Sequence, residues 1–210
     1  VDARVALASG SRGVDRLVNA VPSSLADNAG RLYERSNWRR KRGRWADARP
    51  LLLQINPAGI PEVGLRKIWD EKNLHMRRAI RDDEYSIAYQ LAASHGMTSG
   101  VDFAEGEFNA GWMALRYLNR PQDALRHFQT LEAGVSSPVS SSRAQFWTGE
   151  ALTRLNRTSE ARQAYGRGAR HLTTFYGQRS AERIGATQIS LPPKKIPTQI
   201  DRDRFEQREL

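Results

Sequence analysis

The chain has no cysteine, and this absence removes several classes of function. Without thiols there is no disulfide, no cysteine nucleophile and no cysteine-bound zinc. A cysteine-free chain also suits an oxidising compartment such as the periplasm. No apolar run approaches the roughly 20 residues that are needed to span a bilayer. No secretory signal is visible, and the helical pattern begins at Val1, so we expect a mature or trimmed chain.

Motifs of the common catalytic and metal sites are also missing. The histidines are too far apart in sequence for a zinc motif, so we expect no metal; they are His75, His95, His127 and His171. Residues 96–100 lack the Lys-Ser/Thr ending of a phosphate-binding loop. The acidic run from Asp82 to Glu84 is predicted to be a hairpin turn followed by a capped helix start, and not a pair of glycosidase carboxylates. The sequence therefore predicts no catalytic residue and no cofactor.

Positive charge, in contrast, is abundant. The chain has 33 Lys and Arg residues against 23 Asp and Glu residues, which gives a formal net charge of +10. Such a bias favours an anionic partner: nucleic acid, anionic lipid or an acidic cell-wall polymer. The densest basic stretch is residues 35–45, with six basic residues and two tryptophans. From it we select four candidate binding residues for an anionic polymer, namely Arg39, Arg40, Arg42 and Arg44.

The two tryptophans of this stretch, Trp38 and Trp45, have two possible roles. They could stack on the sugars or bases of a bound polymer. They could instead pack into the core of a helical hairpin, with Gly43 ending its first helix. We favour the second role for the tryptophans and leave the role of the arginines open.

The strongest internal pattern is a repeat of 37 residues. It relates two segments that share Ala-Leu, Leu-Asn-Arg and an alanine followed four residues later by an aromatic, so that Ala124 and Phe128 recur as Ala161 and Tyr165. Looser copies of the alanine stand at Ala48 and Ala88. Repeats of this length are typical of stacked helix–turn–helix units, in which alanine allows two helices to approach closely. The sequence therefore predicts an all-α fold, a right-handed superhelix of stacked helical hairpins, that is, a TPR-like α-solenoid.

Proline, glycine and serine suggest where the helices end. We predict helix breaks at Pro22 and at residues 56–61, 96–100 and 134–142, and a helix that opens at Pro121. The repeat domain is assigned to residues 1–189. Residues 190–210 are predicted to be a Pro-rich linker and a following helix, beginning near Asp201, that is truncated before another domain.

The order of these features resembles the superhelical domain of the soluble peptidoglycan lytic transglycosylases of the Slt type. The resemblance spans about residues 31–185, and it is carried by residues 38–54, 85–96, 144–155 and 175–177, with the Pro-rich segment after them. Those enzymes cleave MurNAc–GlcNAc bonds and leave 1,6-anhydromuramyl ends, using one glutamate in a Glu-Ser motif. This sequence has no Glu-Ser pair, so no catalytic residue carries over. The resemblance implies a noncatalytic, periplasmic scaffold that binds glycan strands and supports a C-terminal catalytic domain absent here.

Two other functions remain open at this stage. A free-standing TPR-like adaptor would bind a protein partner in its concave face. A basic helical protein that binds nucleic acid would need one continuous positive stripe and would bind with a steep salt dependence. Because no nucleic-acid motif is present, we expect no nucleic-acid partner, and we place the adaptor second to the wall scaffold.

Overall fold

The computed structural model describes residues 2–10, 13–186 and 196–207. These residues form α-helices and one short 3-10 helix at Ser23–Leu25, with no strand among them. The helices are α1 (Asp2–Ser9), α2 (Val14–Asn19), α3 (Ala29–Arg40), α4 (Trp45–Leu53), α5 (Glu62–Arg81), α6 (Tyr85–Ala93), α7 (Gly100–Arg116), α8 (Pro121–Gly134), α9 (Pro138–Arg154), α10 (Thr158–Gly168), α11 (Phe175–Arg183) and α12 (Gln199–Glu206). No helix of the described part is long and apolar enough to cross a membrane.

The helices pack as hairpins that follow one another along the chain. Four hairpins, α3–α4, α5–α6, α7–α8 and α9–α10, are stacked in this order, and α11 packs on α9 and α10. The short pair α1–α2 precedes them, with α1 against α3. We call the first helix of each of the four hairpins its A helix and the second its B helix. This arrangement confirms the predicted all-α solenoid of stacked hairpins.

A similar short turn joins the two helices in all four hairpins, with one extra residue in the α7–α8 turn. Its left-handed residue is Gly43, Asp83, Asn119 or Asn156, with φ between 50° and 75°. Glycine, asparagine and aspartate tolerate this conformation better than other residues do. The Leu-Asn-Arg recurrence found in the sequence therefore encodes a repeated backbone turn, and the earlier hairpins use glycine and aspartate for the same purpose.

Small residues allow the A and B helices to approach closely. The repeated alanines of the B helices are almost fully buried; they are Ala48, Ala88, Ala124 and Ala161. On the A helices, a Cβ added at Gly111 or Gly149 would lie 2.5 or 2.4 Å from the ring of Phe128 or Tyr165. The repeat alanines and aromatics thus have the packing role that the sequence predicts for them.

The core is a continuous hydrophobic cluster through α3 to α10, with a smaller cluster at α1 and α2. Trp38 is half-buried against the smaller cluster. Trp45 is also half-buried, with its ring 4.9 Å from that of His75. Both tryptophans therefore pack within the fold, as favoured above.

Two details of the predicted boundaries were wrong. The serine-rich residues 134–142 are not a loop, because α9 begins at Pro138 and the Ser137 hydroxyl caps it by accepting a hydrogen bond from the Ser140 amide. The turn at Asp82 is confirmed, but Glu84 does not cap α6; its carboxylate pairs with Arg49 instead.

After residue 186, the structure describes residues 196–207. The helix predicted near Asp201 is α12, which begins at Gln199 behind a capping box formed by Thr198 and Asp201 and buries none of its residues. Most of the predicted linker falls in residues 187–195, which lie outside the described residues. The assignment of residues 1–189 and 190–210 to two units therefore stays a prediction.

Candidate functional site

The A helices lie side by side and form one face of the solenoid, which we call the A-helix face. Side-chain contacts connect each A helix to the next. The amide of Asn37 on α3 donates to Glu71 on α5 at 3.1 Å, and Asn73 on α5 donates to Glu105 on α7 at 2.9 Å. Between α7 and α9 the contact becomes aromatic, with Phe108 against Trp147. The face thus changes from polar at the N-terminal end to aromatic near α9.

A groove of about 850 Å³ lies on this face between α7 and α9. Phe108 and Asn109 of α7 line one side, and Ser140 and Arg143 of α9 line the other. The short α8–α9 connection, residues 135–137, closes one end. The groove therefore combines an aromatic surface with hydroxyl, amide and guanidinium groups and the carboxylate of Glu105.

Arg143 is the unusual residue of the groove. Its guanidinium lies over the ring of Phe108, 4.4 Å from the centroid. Its Nε is buried and has no hydrogen-bond partner among the described residues. Burial lowers the pKa of Arg143 from its ordinary value. A half-buried cation without a carboxylate partner is destabilising, so an anionic ligand would compensate it.

The carboxylate of Glu105 on α7 already accepts hydrogen bonds from other residues. Glu105 accepts hydrogen bonds from Asn73 and from Arg77, the latter at 3.1 Å. Both partners come from α5, on the side of α7 away from α9. Glu105 also lines the groove, and its charge raises the pKa of Arg143 against the larger effect of burial, but it forms no ion pair with that guanidinium.

The four basic residues selected from the sequence do not form one open patch. Arg40 donates to the buried Glu71 at 2.6 Å, and Arg44 pairs with Asp47 at 2.7 Å. Arg39 donates to the main-chain oxygen of Asp47, and Arg42 lies over the Trp38 ring at 4.0 Å. All four have partners within the fold, and a role for them in polymer binding stays a prediction.

Two buried charge clusters connect neighbouring helices and have no access to a ligand. In the first, Glu107 of α7 meets Nδ1 of His127 from α8 at 2.7 Å and Nε2 of His95, which follows α6, at 3.1 Å. The Nδ1 of His95 accepts from the Met97 amide, so its Nε2 carries the proton that is donated to Glu107. Burial would raise the pKa of Glu107, but the hydrogen bonds from His127 and His95 outweigh it and lower the pKa to about 2.

The second cluster is centred on Glu71 of α5, which is almost fully buried. It is held by Arg40 and Asn37 of α3, with Nε2 of His75 at 3.4 Å. Sequence reasoning missed both clusters because their members come from different helices and have no regular spacing. His95 and His127 hydrogen-bond to Glu107, whereas His75 is buried with no hydrogen-bond partner among the described residues.

Lys72 is a further buried cation with a structural role. Its Nζ donates to the main-chain oxygen and hydroxyl of Ser94, the residue that ends α6, at 2.6 and 2.9 Å. Burial lowers the pKa of Lys72 to about 8. A cation at this position interacts favourably with the negative, C-terminal end of the α6 dipole.

The described residues contain no group of three or more His, Cys, Asp or Glu side chains that could hold a metal ion. Residues 113–175 match the model of a tetratricopeptide repeat family. This segment runs from the end of α7 through α10 and includes most of the groove's second wall. The match covers 63 of the 210 residues and supports a TPR-like helical domain. No curated protein and no solved structure matches it.

The match bears on two functions considered from the sequence, the protein-binding adaptor and the cell-wall scaffold. Tetratricopeptide-like repeats suggest a protein-interaction scaffold, which fits the adaptor hypothesis at least as well as the wall scaffold. The match gives no support to a lytic transglycosylase origin, and that origin stays a prediction from the resemblance alone.

Proposed function

We propose that this domain is a noncatalytic protein-interaction scaffold, and that it binds an extended segment of a protein partner in the groove between α7 and α9. The observation that carries the proposal is Arg143, a half-buried guanidinium in that groove with no carboxylate partner among the described residues. A carboxylate of the partner would receive its free N–H donors in a bidentate, charge-assisted contact.

The other groove residues suit a polypeptide better than a compact small molecule. Phe108 provides an apolar surface beside Arg143, and Ser140 adds a hydroxyl on the same helix as Arg143. The groove lies on a face of stacked A helices, where an extended chain crosses several repeats.

The test selects short peptides from a displayed library on the wild-type domain and measures their affinity for Arg143→Gln. Peptides selected on the wild type should share an acidic residue. Their affinity for the variant should fall roughly 10- to 100-fold, because a buried charged hydrogen bond is lost. The control is Arg126→Gln, an exposed arginine on α8 that is paired with Asp123. Equal binding to wild type and Arg143→Gln would contradict the proposal.

The wall-scaffold hypothesis is a separate proposal, supported by the resemblance and the net charge of +10. It includes a periplasmic location, glycan strands as partner and a catalytic domain that follows. Its test is co-sedimentation with peptidoglycan sacculi, comparing the wild type with a variant in which Arg39 and Arg42 are changed to Glu. Arg40 is left intact because it neutralises the buried Glu71, so its replacement would test folding. Salt-sensitive binding that the variant loses would support this hypothesis, and no binding at low salt would contradict it.

A further inference from the structure

Two rows of basic side chains run along the edge where the A helices end and the B helices begin. The first, which we call the cap row, consists of residues at the N-cap of B helices, Arg44, Arg120 and Arg157. The second, which we call the end row, consists of the last residue or C-cap of each A helix: Lys41, Arg81, Arg116 and Arg154. The repeated turn places every member of a row at an equivalent position of its hairpin.

The cap row is neutralised within the fold. Arg44, Arg120 and Arg157 each pair with an acidic residue three positions later in the first turn of the B helix, at 2.7, 2.5 and 2.6 Å. The remaining hairpin, α5–α6, has Glu84 at this position, and Glu84 pairs with Arg49 of the preceding B helix. The cap row therefore has little charge left for a partner.

The other carboxylates of this edge are also engaged. Asp82 is held by Arg78 at 2.7 Å and by Arg49 at 3.5 Å. Asp83 accepts a hydrogen bond from the hydroxyl of Tyr85. The acidic residues of the turns thus have hydrogen-bond or ion-pair partners of their own, although Asp82 also interacts electrostatically with the neighbouring Arg81 of the end row.

The end row differs from the cap row in being exposed and free. All four of its residues are exposed, and none forms a side-chain ion pair or hydrogen bond with a described residue. Adjacent packed helices are about 8–10 Å apart, so the four positive charges extend over roughly 30 Å. A cation at a helix C-terminus is favourable by itself, so binding must be measured separately from stability.

We propose that the end row is a docking surface for an extended acidic polypeptide segment with a carboxylate at about every third residue. This inference rests on the scaffold function proposed above and adds a second contact surface with a stated partner chemistry. In the extended polyproline II conformation a chain has three residues per turn and rises about 3.1 Å per residue, so every third side chain lies on the same face, about 9 Å from the previous one, close to the spacing of the row.

The same edge is less suited to nucleic acid. Single-stranded nucleic acid is bound by basic grooves with aromatic rings free to stack on bases. The exposed aromatic ring of this edge, Tyr117, is already stacked on Tyr85 with 3.8 Å between ring centroids, and Trp112 packs edge-on against it. A duplex has a phosphate every 3.4 Å along each strand, so a cation every 10 Å would leave most phosphates without a contact.

The probe is a fluorescent ten-residue peptide with glutamate at positions 1, 4, 7 and 10, followed by anisotropy at low salt. Changing Lys41, Arg81, Arg116 and Arg154 to Gln should weaken its binding about tenfold or more, as expected for four exposed ion pairs. The matched control changes four internally paired arginines to Gln, which removes the same net charge: Arg44, Arg66, Arg120 and Arg157. The control should bind within about twofold of the wild type. An equal loss in both variants, or in neither, would overturn the proposal.

Three further arms make the result specific. A peptide with glutamine at the four positions should not bind, and one with four consecutive glutamates should bind more weakly than the spaced peptide. Tighter, end-row-dependent binding of a single-stranded oligonucleotide or of anionic vesicles would overturn the polypeptide assignment. If the fourfold variant does not fold, the two double variants, Lys41 with Arg81 and Arg116 with Arg154, should each lose about threefold.

The variant Arg143→Gln distinguishes a failure of the groove proposal from a failure of the end-row proposal. If the scaffold function fails, peptides selected by display will bind this variant and the wild type equally, whatever the end row does. If only the end-row proposal fails, the affinity of the spaced peptide will not depend on the end-row charges, while the affinity of the selected peptides will still depend on Arg143.

Discussion

Arg143 and Arg40 are both partly buried arginines on A helices, but their surroundings differ. Arg40 has the buried carboxylate of Glu71 at 2.6 Å. Arg143 has an aromatic ring beneath it and a buried Nε with no partner in the described part of the chain. A paired arginine is already satisfied by the fold, whereas an unpaired one gains from an incoming anion. The pairing state of each cation, more than its position in a basic run, identifies the binding candidates.

The buried carboxylate of Glu107 should make the fold sensitive to acid. Its folded-state pKa of about 2 lies below the ordinary 4.5, so its contribution to stability is present above about pH 4.5 and is lost as the pH falls toward 2. Glu107→Gln should lower the free energy of unfolding at pH 7 by about 2–3 kcal/mol, because two histidines lose a charged acceptor. Urea unfolding between pH 3 and 7 measures this.

Glu62→Gln is the control for Glu107, since Glu62 forms an exposed pair with Arg66. It should change the free energy of unfolding by less than about 0.5 kcal/mol. If Glu107→Gln kept the full acid sensitivity of the wild type, the stabilising role of this carboxylate would be refuted.

Lys72 makes stability rise with pH in the same sense, but in the alkaline range. Its pKa is about 8 in the folded state and ordinarily 10.5, so the folded state binds the proton less tightly than the unfolded state. Stability should therefore rise from about pH 8 toward 10, with a slope of at most about 1.4 kcal/mol per pH unit. Lys72→Met should lose this rise. Chemical unfolding at several pH values below 10 makes the comparison, and parallel curves for both proteins would contradict the assignment.

At the scale of the helices, close approach within the hairpins depends on glycine. A methyl group at Gly149 would lie 2.4 Å from the ring of Tyr165, which is buried and cannot easily move. Gly149→Ala should therefore lower the free energy of unfolding by about 1–2 kcal/mol, since overpacking exceeds the gain in helix propensity.

Gly166→Ala on α10 is the matched control for Gly149. No atom lies within 4 Å of the added Cβ, so this substitution should stabilise the domain by about 0.5–1 kcal/mol. Thermal unfolding of the two variants measures both effects. Stabilisation by both would show that the α9–α10 packing is looser than described.

Much of this element-level architecture could be predicted from the sequence, because alanine, aromatic and Leu-Asn-Arg recur at one spacing. The pair Gly111 and Gly149 escaped notice because its spacing is 38, one more than that of Ala124 and Ala161. The cause is an extra residue in the α7–α8 turn, where the Arg120 amide donates to Ala114; in the α9–α10 turn the Arg157 amide donates to Leu152. A repeat with one insertion preserves its packing but changes its register.

The candidate site could be predicted less well, because it depends on contacts between distant segments. Residues 39–44 look like a binding site in sequence, yet Glu71, the partner of Arg40, comes 31 residues later in the chain. Arg143 stands in a serine-rich run that gives no sign of Phe108, contributed by α7. The sequence shows where basic residues are dense, but only the fold shows which of them are paired with carboxylates from distant segments.

At the scale of the whole molecule, the net charge is +10, but some basic residues are paired within the fold and others are free to meet a partner. The cap row is neutralised by the first turns of the B helices, while the end row remains exposed and free of ion pairs with the described residues. A partner therefore meets an unpaired cation in the groove and four more along the edge. An acidic protein segment satisfies both surfaces, and its binding should weaken as salt increases.

The most direct test of the central claim is an NMR measurement on the Nε–H resonance of Arg143, assigned by comparison with Arg143→Gln. A display-selected acidic peptide is added to the wild-type domain. We expect a large shift of this resonance, and no shift with the same peptide after its acidic residue is replaced by the corresponding amide. An unchanged Arg143 resonance at saturating peptide would contradict the proposal that the groove between α7 and α9 is the binding site.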